Sequence, residues 1–365
     1  MTDVIYLAAC AVNGATPNAS RVAAMDLAEL YRAAERQLLA SVTAMALERV
    51  GVRDAAFTQA KGKAIRKIVA LDTERRAILS ALEEAGIWYA PLKGIILKEL
   101  YPKIGMRQMA DNDILIDAAR AEDVRQIMEG LGYTVDTFGK GAHDHYVKPP
   151  VCSFEMHRRL FWAGNEMPQL EAYYRDVERR LLPDADRAFG LKFSDEDFYL
   201  YITAHAFKHY SGSGTGLRTV LDTYVYCRQK ADTLDWAYIA GEAEKLGIAG
   251  FEAQLRSLAM HLFGGETLDA AEQEMLEYIA SSGTYGIAVH RETNRVRRYG
   301  RVGYLIRRAF LPYRTMRAQY PILKRLPFLL PFCWVLRWIG ALIKKPKTVL
   351  LQLRTAVARR EETTR

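Results

Sequence analysis

The chain has 365 residues, of which 50% are apolar and 26% are charged, and its formal net charge is +8. A chain of this length and apolar content can bury one large core or two smaller ones, which excludes disorder as a description of the whole. The positive charge favours acidic partners such as nucleotides, nucleic acid or an anionic membrane, without choosing among them.

The N-terminal part of the chain predicts helices. Residues 1–20 are rich in small side chains and include a glycine and a proline, so we expect a flexible N-terminus. From about residue 21 to 50, and again from about 54 to 85, apolar residues recur mostly at three- and four-residue steps. This spacing predicts two long helices. We assign residues 21–85 to an N-terminal helical segment.

The next segment, residues 86–165, alternates short strand patterns with helical patterns. Its predicted strands are 87–90, 109–116, 133–138 and 151–157. Its predicted helices are 95–101 and 118–131. Residues 139–150 are rich in turn-forming residues and predict a connection without regular structure. This order is typical of a small mixed α/β unit.

Helical patterns alone continue from about residue 168, and we expect no further strands. We assign residues 166–292 to a helical domain and residues 293–365 to a basic, aromatic-rich helical tail. The whole pattern predicts an α+β protein, in which a small mixed sheet is flanked by N-terminal helices and by a larger C-terminal helical region.

The basic tail has three interpretations that the sequence leaves open. Its Lys, Arg and aromatic residues could bind RNA, with the charges on phosphates and the rings stacked on bases. Trp334, Trp338 and the Leu-rich run around them could instead lie on an anionic membrane surface. In the third interpretation the tail holds the last helices of the fold, with a solvated basic face.

A small set of residues points to one kind of chemistry. Asp111 and Asp113 are two apart on a predicted strand, so their carboxylates lie on the same side. Glu155 follows on another predicted strand, and Lys93 and Gly94 precede the two aspartates by a short helix. A lysine supplies positive charge beside a phosphate, and a glycine lets the backbone approach it closely. Together these residues predict a site for Mg²⁺-dependent phosphoryl or nucleotidyl transfer.

These motifs resemble those of the nucleotidyltransferase superfamily with the DNA polymerase β-like core, and more closely those of a bacterial family of uncharacterised nucleotidyltransferases. The resemblance covers most of the chain and rests on the runs LKG, LYP, RQMADND, FEMHRRL, HAFKH, LRTVLD and YPILKRLPFLLPF. It implies that Asp111 and Asp113 are the paired metal acids and that Glu155 is the third. It also implies that Lys93 and Gly94 contact the nucleotide phosphates.

The reaction implied by the resemblance is in-line attack of an acceptor hydroxyl on the α-phosphate of a nucleoside triphosphate. The three acids would hold one or two Mg²⁺ ions, with Mn²⁺ as the alternative ion. The acceptor stays open among RNA, protein and small molecules. Further nucleotide contacts are expected from Arg107, His157 and Lys208. For Arg107 the alternative is a loop arginine in water, and for His157 it is a structural histidine.

One position departs from the family pattern. The residue between the two acids is usually apolar there, whereas in this chain it is Asn112. On a strand its amide would point away from the acids, into the other face of the sheet, where it needs hydrogen-bond partners.

Two other functions stay open at this level. A polymerase β-like fold could bind nucleotide or RNA without turnover, as a non-catalytic module. Alternatively, the basic tail could make the chain a peripheral membrane protein. The oligomeric state is not predicted.

The expected location is the cytoplasm, with peripheral association with the membrane as an alternative. The cysteines are far apart and form neither a CxxC pair nor a zinc-type cluster, which indicates free thiols in a reducing compartment. No basic start precedes the apolar residues 4–12, so we expect no secretory signal. Residues 326–343 are interrupted by two prolines and an arginine, so we expect no transmembrane helix there.

Overall fold

The structure is a computed structural model that describes residues 1–162, 167–283, 286 and 288–344. The described residues divide into two compact units, each with its own buried apolar core. The first unit contains residues 1–208 and 216–283, and the second contains residues 209–215 and those from 286 onward. The finer division of the chain into five segments stays a prediction.

The first unit begins with the helices α1 (Thr2–Val12), α2 (Ala19–Ala23), α3 (Leu27–Arg36), α4 (Ala40–Arg49) and α5 (Ala55–Glu84). Residues 2–12, which we expected to be flexible, form α1 instead. Val4, Leu7 and Ala8 of this helix are fully buried, and α1 packs against α4. The small residues that suggested flexibility therefore let two helices approach each other closely.

The single helix predicted from 21 to 50 is interrupted between α3 and α4. Leu38 has a φ of 54°, in the left-handed region that breaks a helix. The buried side chain of Gln37 donates a hydrogen bond to the carbonyl of Ala280 and accepts one from the N–H of Leu217. Both partners are distant in sequence, and the apolar spacing continues on both sides, so periodicity alone does not reveal the break. The helix predicted from 54 to 85 is confirmed as α5.

A mixed sheet forms the centre of the first unit. Its strands are β1 (Tyr89–Leu92), β2 (Asn112–Ile116), β3 (Thr134–Thr137), β4 (His143–Lys148) and β5 (Cys152–His157). In the described part of the chain the spatial order is β1-β2-β5-β4-β3, and β2 and β5 are parallel while the other pairs are antiparallel. The helices α6 (Gly94–Leu97) and α7 (Ala121–Gly130) follow β1 and β2. The predicted α+β class is confirmed.

The turn-rich connection predicted over residues 139–150 is wrong, because β4 lies within it. This strand reads HDHYVK, so polar side chains stand on both of its faces and hide the usual apolar alternation. Asp144 is fully buried and accepts hydrogen bonds from the N–H of Gly139 and from Arg158, which offsets the cost of burying its charge.

The two faces of the sheet bury different sets of side chains. One face packs against α5 and α7 through Ile114, Phe154 and Met156. On the other face, Leu92 and Leu115 pack into a core shared with the later helices. Side chains of β2 and β5 that point to this second face therefore lie under the later helices.

Those later elements of the first unit are α8 (Pro168–Tyr173), β6 (Leu181–Pro183), β7 (Leu191–Phe193), α9 (Asp195–Tyr210), α10 (Leu217–Lys230), α11 (Trp236–Leu246), α12 (Ala249–Gly264) and α13 (Ala270–Ser282). The helix α9 extends two residues beyond the first unit. The expectation of no strands after residue 168 is wrong, because β6 and β7 pair antiparallel. Each has only three residues, too few for an alternating pattern to be recognised.

The second unit contains α14 (Ala288–Ala309), α15 (Tyr313–Gln319) and α16 (Leu330–Lys344). Gly300, with a φ of 68°, kinks α14. Met316, Leu323 and Cys333 form the centre of a small core. Across the described residues, every helix is either too short or too polar to cross a membrane.

Candidate functional site

The register of the two parallel strands makes two carboxylates neighbours. In the pairing of β2 with β5, Asp113 lies opposite Glu155 and Leu115 lies opposite His157. Side chains of a strand alternate between its faces. Asp113, Glu155 and His157 therefore project from the sheet face on which Leu115 packs, under the later helices of the first unit.

Asp111 joins this pair through its charge. It comes one residue before β2 and is half-buried. Burial, followed by the charges of Asp113 and Glu155, raises the pKa of Asp111 to about 6. A carboxyl responds in this way when like charges lie near it in a poorly solvated place. The structure thus brings the three predicted acids into one electrostatic cluster.

The ammonium group of Lys93 lies within this cluster. Its Nζ is 2.6 Å from Asp113 Oδ1 and 4.0 Å from Glu155 Oε2. Burial acts to raise the pKa of Asp113, but Lys93 and the hydrogen bond from His157 hold that pKa well below its usual range. Burial acts to lower the pKa of Lys93, but the charges of Asp113 and Glu155, together with the hydrogen bond to Asp113, raise it. A cation is therefore already accommodated between the carboxylates.

The turn that carries Lys93 has an unusual backbone. Lys93 has a φ of 46°, a conformation that L-residues rarely adopt and that costs energy wherever it occurs. Gly94 follows at the start of α6, and a Cβ there would lie 2.6 Å from Arg107 Nη1 and 2.8 Å from Met109 Cε. A side chain at this position would require the ends of Arg107 and Met109 to move. Contact with a phosphate stays a prediction for Gly94.

Arg107 is buried and held by α10 from the far side of the turn. Its Nε and Nη2 donate to the two oxygens of Asp222 at 2.8 and 2.9 Å, and the Tyr101 hydroxyl donates to the same carboxylate at 2.7 Å. The alternative of a loop arginine in water is therefore wrong. Two nitrogens of the Arg107 guanidinium are already bonded to Asp222, so its contact with the turn at Gly94 is the role that the structure shows. A nucleotide contact stays a prediction for Arg107.

His157 is buried beside the carboxylates. Its Nε2 lies 2.9 Å from Asp113 Oδ1 and 3.3 Å from Glu155 Oε2. Since the pKa of Asp113 is held low, its carboxylate accepts and the Nε2–H of His157 donates. Nδ1 of His157 is buried without a hydrogen-bond partner in the described structure. His157 is thus part of the cluster itself.

A second histidine in the cluster was not predicted. His143 on β4 has its Nε2 3.5 Å from Glu155 Oε1, and its ring lies 4.9 Å from that of His157. His143, Glu155 and His157 each offer one ligand atom, all within 4.8 Å of one another, so this group could hold a metal ion. The signal was present in the alternating histidines of HDHYVK, but it required recognising β4 as a strand.

The helix α9 adds two polar side chains. Burial, followed by the charge of Lys93, lowers the pKa of Lys208, which lies in the field of Glu155 as well. Tyr201, also unpredicted, is fully buried, and among the described residues its hydroxyl has no hydrogen-bond partner. Burial raises the pKa of Tyr201. The charge of Lys93 acts to lower this pKa, and the charges of Asp113 and Glu155 act to raise it. Lys208 and Tyr201 therefore interact electrostatically with the carboxylate cluster.

The side-chain amide of Asn112, between the two acids, makes part of its possible hydrogen bonds. Asn112 is fully buried on the opposite face, and its Nδ2 donates to the carbonyl of Leu71 at 3.3 Å. Its Oδ1 has no partner in the described part of the chain. The Asn112 side chain thus ties β2 to α5 and leaves the strand register that aligns Asp113 with Glu155 intact.

Clustered carboxylates beside a lysine on a mixed sheet are the groups that metal-dependent nucleotidyl or phosphoryl transfer requires. The chain belongs to a family described as an uncharacterised nucleotidyltransferase, whose model matches residues 23–264. No curated protein and no solved structure matches the chain. The matched range contains every residue of the cluster and ends before residue 286, where the second unit resumes. Family membership supports a general role in nucleotidyl transfer.

Proposed function

We propose that this protein is a metal-dependent nucleotidyltransferase, which transfers a nucleoside monophosphate from a nucleoside triphosphate to an acceptor hydroxyl. The observation that carries the proposal is the alignment of Asp113 with Glu155 on parallel strands, with Lys93 Nζ between them. The acceptor is an RNA, a protein or a small molecule.

The chemistry of the proposed donor set suits a divalent cation, and Glu155 also belongs to the group, with His143 and His157, whose ligand atoms lie close enough together to hold a metal ion. Asp111, Asp113 and Glu155 supply carboxylate oxygens, the ligands that Mg²⁺ and Mn²⁺ accept, and the Lys93 ammonium marks a place where positive charge is favourable. One or two such ions would be held by these three residues. When bound, the ion neutralises charge on the triphosphate and lowers the pKa of the attacking hydroxyl.

The side chains of the site have separate roles in the proposed reaction. The acceptor oxygen forms a bond to the α-phosphorus, while the bond from that phosphorus to the bridging oxygen breaks and pyrophosphate leaves. Glu155 accepts the proton of the acceptor hydroxyl. When the nucleotide binds, the ammonium of Lys93 exchanges its contact with Asp113 for a contact with a phosphate oxygen. The flexible side chain of lysine allows this movement. Lys208 contributes a second positive charge toward the phosphates.

The test is transfer of label in a cell extract, which contains the acceptor whatever its class. Compared with the extract alone, addition of the wild-type chain should increase the entry of label from an α-labelled triphosphate into RNA, protein or a small molecule, and should not increase the entry of label from a γ-labelled triphosphate. Asp111→Asn and Asp113→Asn should each reduce transfer at least about a hundredfold, because each removes a metal-binding charge. Asp123→Asn, on the exposed side of α7, is the matched control and should leave transfer unchanged.

Two outcomes would replace the proposal. Transfer of the γ-label instead of the α-label would make the protein a phosphotransferase. Triphosphate binding that depends on a divalent ion, measured by calorimetry, with no product from any extract would favour a non-catalytic binding module. The strong pairing of Lys93 with Asp113, which neutralises one acid without an ion, is the observation that keeps this second function in view.

A further inference from the structure

The second unit presents an apolar stripe along α16. Phe332, Leu336, Ile339 and Ile343 recur at steps of four, three and four residues, which places them on one side of the helix. Their exposed fractions are 68%, 58%, 50% and 73%. Val335 and Leu342 flank them and are exposed as well. We call these six residues the apolar stripe.

The opposite side of α16 is anchored inside the unit. Cys333 is buried with Met316 and Leu323. The indole N–H of Trp334 donates to the carbonyl of Leu311, and that of Trp338 donates to the carbonyl of Ala309. The two tryptophans therefore hold the helix in place and do not belong to the exposed side. The stripe is the outer face of a helix that is already packed by its inner face.

The charge of this unit is almost entirely of one sign. Residues 286–344 contain 13 Lys and Arg residues and one acidic residue, Glu292. Glu292 is buried and accepts a hydrogen bond from the Tyr304 hydroxyl. Lys324 and Arg325, shortly before α16, are exposed. Apart from Glu292, the charges of residues 286–344 are thus basic, and two exposed basic residues lie close in sequence to the exposed apolar helix face.

An exposed apolar helix face combined with basic charge favours one kind of partner. A second copy of the chain would place one basic unit against another, which is unfavourable. Single-stranded RNA uses ring faces for stacking, whereas five of the six stripe residues are aliphatic and have no ring. An anionic bilayer offers both phosphate charges and an apolar layer beneath them.

We propose that the second unit docks onto an anionic lipid bilayer. The helix α16, about 22 Å long at the usual rise per residue, lies in the plane of the surface. The apolar stripe enters the boundary between headgroups and acyl chains, and the Lys and Arg residues contact lipid phosphates. This surface is independent of the proposed transferase site, because it uses residues outside the range that the family model matches.

The test is flotation of the purified chain with vesicles of phosphatidylcholine, alone or mixed with phosphatidylglycerol. Binding is expected to the mixed vesicles and to weaken as salt is raised. Leu336→Asp and Ile339→Asp should each reduce binding at least about tenfold, because each places a charge in the apolar layer. The matched control is Val69→Asp on α5, a residue that is 52% exposed in the first unit, and it should bind as the wild type does.

Far-ultraviolet circular dichroism checks that the variants stay folded. The double variant Lys324→Glu with Arg325→Glu tests the contribution of positive charge to vesicle binding and leaves the apolar stripe unchanged. It should lower binding and reduce its dependence on salt. Equal binding to both kinds of vesicle, or unchanged binding of the stripe variants, would overturn the proposal. A third result would also overturn it: the wild-type chain does not bind vesicles but binds RNA in a filter assay, and the stripe variants lose this RNA binding.

Discussion

Two imidazoles beside the carboxylates set the chemical character of the site at the scale of single residues. His157 Nε2 lies within hydrogen-bond distance of Asp113, and His143 Nε2 lies 3.5 Å from Glu155. Mg²⁺ strongly prefers oxygen ligands, whereas Mn²⁺ and later transition metals accept imidazole nitrogen as well. A site with both donor types should therefore bind Mn²⁺ more tightly than a site with carboxylates alone.

We predict that His143→Ala shifts the ion preference of the site toward Mg²⁺. Loss of one imidazole donor should weaken Mn²⁺ binding roughly tenfold and leave Mg²⁺ binding nearly unchanged. Calorimetric titration of each ion in the presence of a non-hydrolysable triphosphate measures both affinities without requiring turnover. His145→Ala is the control on the same strand, since that ring is bonded to Asp136 and Ser153. An unchanged ratio of the two affinities would show that His143 stays outside the metal shell.

At the scale of secondary-structure elements, the helix α10 supports the turn between β1 and α6. Asp222 on α10 binds Arg107 through two hydrogen bonds, and Arg107 Nη1 lies where a side chain at residue 94 would begin. Lys93 precedes Gly94 in a left-handed conformation, and its ammonium lies 2.6 Å from Asp113 Oδ1. We therefore expect elements more than a hundred residues apart to cooperate in positioning this lysine.

Gly94→Ala is expected to lower both stability and nucleotide binding. The added methyl group would meet Arg107 and Met109 at less than van der Waals distance, so either these side chains or the turn must shift, at a cost of about 1–3 kcal/mol. Displacement of Lys93 should weaken triphosphate binding about tenfold in calorimetry. Gly241→Ala in α11 is the matched control, because nothing lies near the position of its Cβ. Equal triphosphate affinity in the two variants would argue against a positioning role for the turn.

At the scale of the whole molecule, the N-terminal helices are part of the first unit's core. α1 packs against both α4 and α12, which lie near opposite ends of the range that the family model matches. The side chain of Asn13, just after α1, also donates to the carbonyl of Phe263 at 2.8 Å. The N-terminal segment therefore closes the first unit by joining its early and late helices.

Leu7→Ala should destabilise the first unit strongly. Leu7 on α1 is fully buried, and truncation of a buried leucine costs about 2–5 kcal/mol through lost burial and the cavity left behind. The midpoint of urea unfolding, followed by tryptophan fluorescence, measures the loss. Leu182→Ala is the same substitution at a half-exposed residue of β6 and should cost less than about 1 kcal/mol. If the two variants unfolded alike, α1 would not be part of the core.

The sequence by itself determined much of the local structure and predicted the acids of the candidate site. Apolar spacing is a local property, so it located α5 and the strands around Asp113 and Glu155, and it indicated that the chain after the sheet is mainly helical. The two-residue period of a strand also placed Glu155 and His157 on one face, as the structure has them. Spacing could not locate the break at Leu38, because the apolar pattern continues across it.

Only the tertiary structure decided which of these residues meet. The parallel register of β2 and β5 sets Asp113 against Glu155, and the hidden strand β4 brings in His143. Asp222 is 115 residues from the arginine it binds. Contacts of this kind depend on how distant segments close around a shared core, and no local period of the chain records that closure.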